Sequence, residues 1–300
     1  ASTAKKFDCS ELKFFNGIGG FSKDGKEYVI NLHEDQHTPL PWSNVIANKT
    51  FGFLRTESGG GFCWAENSRE FKLTPWSNDP VTDPAGEVIY VRDEENGNFW
   101  TITPMPVREK EEYVIRHGFG YSIFEHSSHG VEQKLVEFVA LEAPLKVAEV
   151  VLKNTEPRSR VLTLTYYIRP VMGVTDKITY QYITTEYDGN SDTVIVRNPY
   201  NYNFPGRVLF ITASENSRSF TCDRTEFFGI NGSSAVPEAM EREKLLNRAG
   251  GGFDPCAAIQ VEVSLEAGEE KKVVFLLGES VSKEEALKLT EKFKNVQKGE

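Results

Sequence analysis

The chain has 300 residues, 39% of them hydrophobic and 12% aromatic, which is enough apolar area for one large all-β domain or two ordinary domains. Its formal net charge of −10 argues against nucleic acid and anionic membranes as partners, since both need basic patches. No window approaches the roughly 18 uninterrupted apolar residues of a membrane span, and the four cysteines (Cys9, Cys63, Cys222, Cys256) form no CxxC and no Cys/His cluster, which argues against a metal site and for reduced thiols in a cytoplasmic protein.

The opening Ala1-Ser2-Thr3-Ala4-Lys5-Lys6 has no apolar signal core and no Met, and reads as a piece cut from something longer. Residues 1–60 read as short strands broken by Gly and Pro. Asn16-Gly17-Ile18-Gly19-Gly20 is a turn cluster with no helix behind it, so it is a weak phosphate cradle, and Lys23-Asp24-Gly25-Lys26 is a hairpin signal before Glu27-Tyr28-Val29-Ile30.

From Cys63 to Pro84 the composition changes. Two tryptophans, four carboxylates, one arginine, two asparagines and three prolines fall within twenty-two residues. Trp64, Glu66, Asn67, Arg69, Trp76, Asn78 and Asp79 are the candidate sugar-binding residues. A sugar ring stacks its C–H face on Trp while its hydroxyls bridge to carboxylates, amides and guanidinium. The competing reading is a rigid turn-rich loop whose polar groups satisfy their own backbone, and on chemistry alone it is the commoner case. Glycoside chemistry also needs a carboxylic acid to protonate the leaving oxygen. Glu66, Glu70, Asp79 and Asp83 have the right company, but spacing marks none of them as that acid, and Arg69 is expected to pair internally with Glu66 or Asp79.

Further along, Glu94-Glu95-Asn96-Gly97-Asn98 signals a hairpin between Val88–Val91 and Phe99–Ile102. Tyr121–Leu141 reads as two strands joined at His129-Gly130. Within it His126 and His129 are spaced for a metal on a helix, but in a strand and turn their rings diverge. Strands follow at Lys146–Lys153, Val161–Ile168, Thr193–Arg197, Val208–Ser214 and Ser219–Thr221. Tyr200-Asn201-Tyr202-Asn203-Phe204-Pro205-Gly206 is either a sugar-stacking loop or a hydrophobic plug. Ile259, Val261, Val263 and Leu265 alternate with Gln260, Glu262, Ser264 and Glu266, the pattern of a strand with one wet face, and Lys272–Leu277 follows a turn. Two helices are expected. Pro237–Asn247 is short and charged, and Ser282–Val296 opens on a Ser282/Glu285 capping box with Ala286, Leu289, Phe293 and Val296 on one face. The result is roughly fifteen to eighteen strands at sandwich spacing, hence one large antiparallel β-sandwich closed by a C-terminal helix. That helix has no evident partner inside the sandwich, which points to a further domain.

Several long motifs then carry a resemblance. They include Phe14-Phe15-Asn16-Gly17-Ile18-Gly19-Gly20-Phe21, Thr38-Pro39-Leu40-Pro41-Trp42-Ser43-Asn44, Trp64-Ala65-Glu66-Asn67-Ser68-Arg69-Glu70, Leu73-Thr74-Pro75-Trp76-Ser77-Asn78-Asp79-Pro80 and Tyr113-Val114-Ile115-Arg116-His117-Gly118. Together they resemble the N-terminal domain of glycoside hydrolase family 94, once called glycosyltransferase family 36, in the branch of cyclic β-1,2-glucan synthases and β-1,2-oligoglucan phosphorylases. The resemblance implies an all-β, galactose-mutarotase-like β-super-sandwich over residues 1–278, with 279–300 starting a linker helix toward an absent (α/α)6 catalytic barrel. That barrel carries the catalytic Asp and most of the phosphate site, so no catalytic residue and no metal is assigned here. The resemblance further implies no organic cofactor, inorganic phosphate as co-substrate of the complete enzyme, a β-glucan or gluco-oligosaccharide as ligand, and a homodimer in some members. A stand-alone carbohydrate-binding module and a purely structural dimerising domain are the alternatives.

Overall fold

A computed structural model describes residues 7–298; the expectations placed on Ala1–Lys6 and on the end at Glu300 lie outside them, as does the side chain of Val296. Among the described residues the strands are, in chain order, β1 (Gly19–Phe21), β2 (Glu27–Leu32), β3 (Ser43–Ala47), β4 (Phe51–Thr56), β5 (Gly61–Ala65), β6 (Glu87–Asp93), β7 (Phe99–Thr101), β8 (Tyr113–Gly118), β9 (Tyr121–Ser128), β10 (Val131–Val139), β11 (Leu145–Asn154), β12 (Arg160–Ile168), β13 (Thr184–Asp188), β14 (Thr193–Arg197), β15 (Val208–Ala213), β16 (Ser217–Asp223), β17 (Pro255–Leu265) and β18 (Glu270–Ser280). The helices are α1 (Asp176–Thr179), α2 (Arg224–Phe228) and α3 (Lys283–Lys298).

The strands form three antiparallel sheets. Ten strands take the order β1-β2-β8-β9-β10-β11-β18-β15-β14-β13, five take β16-β17-β12-β6-β7, and three take β3-β4-β5. One core joins all three, with Phe275 and Val150 from the large sheet, Tyr166 and Leu164 from the middle one, and Phe51 and Phe53 from the small one. The expected all-β, antiparallel super-sandwich is therefore the fold. The hairpin signals at 94–98 and 129–130 join the strands they were expected to join, and the one at 23–26 precedes β2 as expected and joins it to β1.

Four expectations are corrected. Gly19 and Gly20 are not turn residues but lie in β1, where a Cβ would stand 2.8 Å from Val29 O and 2.8 Å from Lys13 O respectively. Only a 3-10 turn, Glu238–Glu241, forms in the expected helix at 237–247. Beyond it the chain bonds to β16 instead, with Leu245 N–H donating to Ser219 Oγ at 2.9 Å and Asn247 N–H to Phe220 O at 2.8 Å, so tertiary bonds override a weak helical preference. The wet face of β17 is confined to its end at Glu262 and Ser264. Gln260 is buried, its amide oxygen taken by Ser219 at 2.9 Å, because α2 and the Glu238–Glu241 turn cover the rest of that sheet face with Phe227, Phe228 and Met240.

The fourth correction concerns α3. Glu285 N–H donates to Ser282 Oγ at 3.3 Å, as a cap requires. The apolar face is not unpartnered, however: Ala286 is fully buried, and Leu287, Leu289 and Phe293 pack on Val208, Phe210, Val274 and Leu276 of the large sheet. The helix closes the outer face of β14, β15 and β18.

Candidate functional site

The small sheet turns one face to the core and one outward. Cross-strand register puts Ile46, Phe53 and Cys63 on the inner face and Val45, Leu54 and Phe62 in one outward row, with Ala47, Gly52 and Trp64 in the next. Trp64 lies flat across Gly52, where a Cβ would stand 2.4 Å from its ring. Its ring is 5.2 Å from Phe62, and Phe62 is in turn 5.2 Å from Trp76, with tilts of 39° and 34°. Trp76 is 36% exposed. The two candidate tryptophans, twelve positions apart, thus belong to one aromatic strip through Phe62.

The polar candidates divide differently. Asn67 Oδ1 accepts the backbone N–H groups of Arg69 and Glu70, each at 2.9 Å, and fixes the turn. Asp79 accepts the Val81 N–H at 3.0 Å, the Thr82 N–H at 3.3 Å and the Thr82 hydroxyl at 2.7 Å; the hydroxyl first, then those N–H groups, hold its carboxyl below its usual pKa, the wrong direction for a general acid. Asn78 is exposed with φ of 50°, a left-handed turn position that Asn tolerates. Arg69 does not pair with Glu66 or Asp79. Its Nε sits 3.5 Å from Glu70, because the Asn67 turn points the two side by side. Glu66 instead meets Arg207 at 3.2 Å, and Arg207 also holds the buried Glu279 at 2.8 Å. Asp83 accepts the hydroxyls of Thr56 and Ser58. The loop reading thus accounts for Asn67, Asp79 and Asp83, while the strip of rings stays open. The histidine pair does not converge: His126 stacks on Tyr113 at 3.9 Å and His129 on Trp100 at 4.4 Å.

Directly behind the small sheet lies a charged cluster that sequence reasoning missed. Arg55 on β4 donates through Nε to Glu137 of β10 at 2.7 Å and through Nη2 to Glu87 of β6 at 3.2 Å. Lys146 of β11 bonds Glu87 at 2.5 Å and Glu137 at 2.7 Å, and the Tyr166 hydroxyl donates to Glu87 at 2.8 Å. All are buried where the three sheets meet. Burial alone would raise both carboxyl pKa values. For Glu87, Lys146 and then Arg55 outweigh it, and for Glu137, Arg55 and then Lys146 do, so both stay ionised. The cluster ties the small sheet, through Arg55, to Glu137 of the large sheet and Glu87 of the middle one.

Three antiparallel sheets on one core, with one small sheet turning an aromatic strip outward, define the class: a β-supersandwich domain. Residues 26–296 match the model of the glycosyl hydrolase 94 supersandwich domain, and the chain belongs to that family. It is similar to the cyclic beta-(1,2)-glucan synthase NdvB of Rhizobium meliloti (strain 1021), 35% identical over 93% of this chain and 10% of that protein. It is also similar to the N,N'-diacetylchitobiose phosphorylase of Vibrio proteolyticus, 23% identical over 93% of this chain and 35% of that one. The chain therefore spans about a third or less of these two relatives. A solved galactose mutarotase related enzyme from Lactobacillus acidophilus aligns with a TM-score of 0.45 and 8% identity over 81% of this chain and 99% of its own.

Proposed function

We propose that this chain is the N-terminal carbohydrate-associated domain of an inverting β-glucoside phosphorylase or glucan-synthase-type enzyme. In this reading residues 1–278 are the domain and 279–300 begin the link to an (α/α)6 barrel that supplies the catalytic acid and binds phosphate. The domain itself does no chemistry. It walls the substrate channel and holds a β-glucan or gluco-oligosaccharide, Trp64, Phe62 and Trp76 stacking on the C–H faces of the sugar rings while the exposed polar groups of the 66–79 segment meet hydroxyls. The strip of three tilted rings on an open sheet face is the observation that carries the reading. The family and the names of the relatives supply the ligand class. A cytoplasmic location fits the four free cysteines, three of them buried in the core.

A second reading rests on Val45, 60% exposed beside the strip. An aliphatic edge of this kind suits docking against another domain or a second copy better than it suits sugar.

The test is phosphate-dependent release of sugar 1-phosphate from β-1,2-linked gluco-oligosaccharides. The proposal expects none from the purified chain, and release once a catalytic barrel from a family member is added in trans. Release by the chain alone would place an acid and a phosphate site inside these residues and sink the proposal.

A further inference from the structure

The 198–207 loop is tied down more firmly than a connector needs. Asn198 and Asn201 both donate to the Met172 carbonyl, at 3.0 and 3.1 Å. The side-chain oxygen of Asn198 accepts Tyr200 N–H at 3.1 Å, and that of Asn201 accepts Asn203 N–H at 3.2 Å and Phe204 N–H at 3.1 Å. Phe204 anchors the loop from beneath, stacked 4.7 Å from the buried Phe71. Since Phe204 already serves as the plug, the tyrosines are not needed for it. Tyr200 is 57% exposed and Tyr202 86% exposed, and the Tyr200 ring lies 4.6 Å from Tyr182, at the end of the turn after α1.

The segment that leads to this pair runs beside the strand that carries Trp64. Trp64 bridges to Lys72, and Lys72 bridges to Gly173, so two successive strand spacings, about 10 Å, separate Trp64 from the segment that leads into α1 and the tyrosines. The Phe71–Phe204 stack joins the 198–207 loop to the residue before Lys72. Tyr182 is half-buried against the exposed Tyr200, and tyrosines held in this way give amphipathic contact area at low entropic cost, with a ring face for C–H groups and a hydroxyl for hydroxyls.

We infer that Tyr182 and Tyr200 form a second sugar-holding surface, so that the domain takes an oligosaccharide long enough to lie on both the tryptophan strip and the tyrosine pair. The inference rests on the strip being a sugar platform. A short glucan reaches one surface; a longer one gains the second without a second loss of translational freedom.

The experiment is calorimetric titration of the chain with β-1,2-gluco-oligosaccharides of graded length, for wild type, Tyr200→Ala, Tyr182→Ala and Trp76→Ala. Both tyrosine substitutions are expected to leave short-chain affinity unchanged and to weaken long-chain binding about threefold to tenfold, the worth of one aromatic contact. Trp76→Ala is expected to weaken every length. Affinity that does not rise with length, or a long-chain advantage untouched by both tyrosine substitutions, overturns the second surface and leaves the strip standing. Binding indifferent to Trp76 but lost with Tyr200 overturns the strip and, with it, the two-surface reading. No binding at any length overturns both.

Discussion

Glu137 of β10 and Lys146 of β11 are each all but inaccessible to water. A buried ion cluster of this kind is not a large net stabiliser, but removing one member strands the others. Glu137→Ala leaves Arg55 and Lys146 facing only Glu87, and is expected to destabilise the domain by about 3–5 kcal/mol in urea denaturation; a loss under about 1 kcal/mol would mean that water enters and solvates the survivors. His117 gives a different signature. Its Nε2–H donates to Trp42 O at 3.0 Å, so Nδ1 accepts from Ser122 Oγ at 2.9 Å, and the ring is held neutral. Burial, partly offset by the Trp42 bond, pushes its pKa down from 6.5 to about 4. As pH falls the unfolded chain therefore binds the proton first. This part of the stability is complete above about 6.5 and is lost as pH drops toward 4, by roughly 2–3 kcal/mol. Below that, Glu87 and Glu137 repeat the pattern from about 4.5 downward, because the fold holds both carboxyls low. His117→Asn should flatten the urea midpoint between pH 7 and pH 4.5, and an unchanged slope would assign the effect elsewhere.

The strip is a property of the β3-β4-β5 sheet rather than of any one ring. Gly52 lets Trp64 lie flat; its Cβ would stand 2.4 Å from one atom of that ring and 2.8 Å from Ala47 Cβ. Gly52→Ala is expected to tilt the indole, cost about 1–3 kcal/mol in stability and shift the tryptophan emission, whereas wild-type emission and sugar affinity in the variant would show that the ring can find another seat. At this scale the sequence was partly legible. Alternation and turn residues located β9 to β12, β14, β15 and the final hairpin because each is bounded by Gly, Asn or Pro and carries β-branched or aromatic residues. Trp64 and Trp76 were visible as unusual, but Phe62, which joins them, was not singled out, although two-residue spacing places it on the face of Trp64. The Arg55, Glu87, Glu137 and Lys146 cluster left no local signal, because each charge sits in a different strand and only the packing of three sheets brings them together. The apolar face of α3 was read correctly, but the surface that covers it was not, since its partners come from β15 and β18.

For the whole molecule, the fold has closed both open sheet faces it could not leave wet. Helix α3 covers one end of the large sheet, and α2 with the Glu238–Glu241 turn covers the middle one. The outward face of the small sheet has no such cover, and among the described residues it is where the aromatic strip lies. That arrangement is what a domain needs if it is to be finished as a folding unit and still present a surface to a substrate or to the rest of an enzyme. No helix of the described residues is long and apolar enough to cross a membrane.

The most direct test of the sugar-platform reading is the nuclear magnetic resonance of the four indole N–H groups, Trp42, Trp64, Trp76 and Trp100, during titration with a β-1,2-gluco-oligosaccharide. Trp100 is an internal control, fully buried and bonded through Nε1 to Gln133 at 2.8 Å. The account predicts saturable shifts at Trp64 and Trp76 with Trp100 unmoved. Saturable binding that leaves both Trp64 and Trp76 in place, or no shift at any of the four, would contradict it.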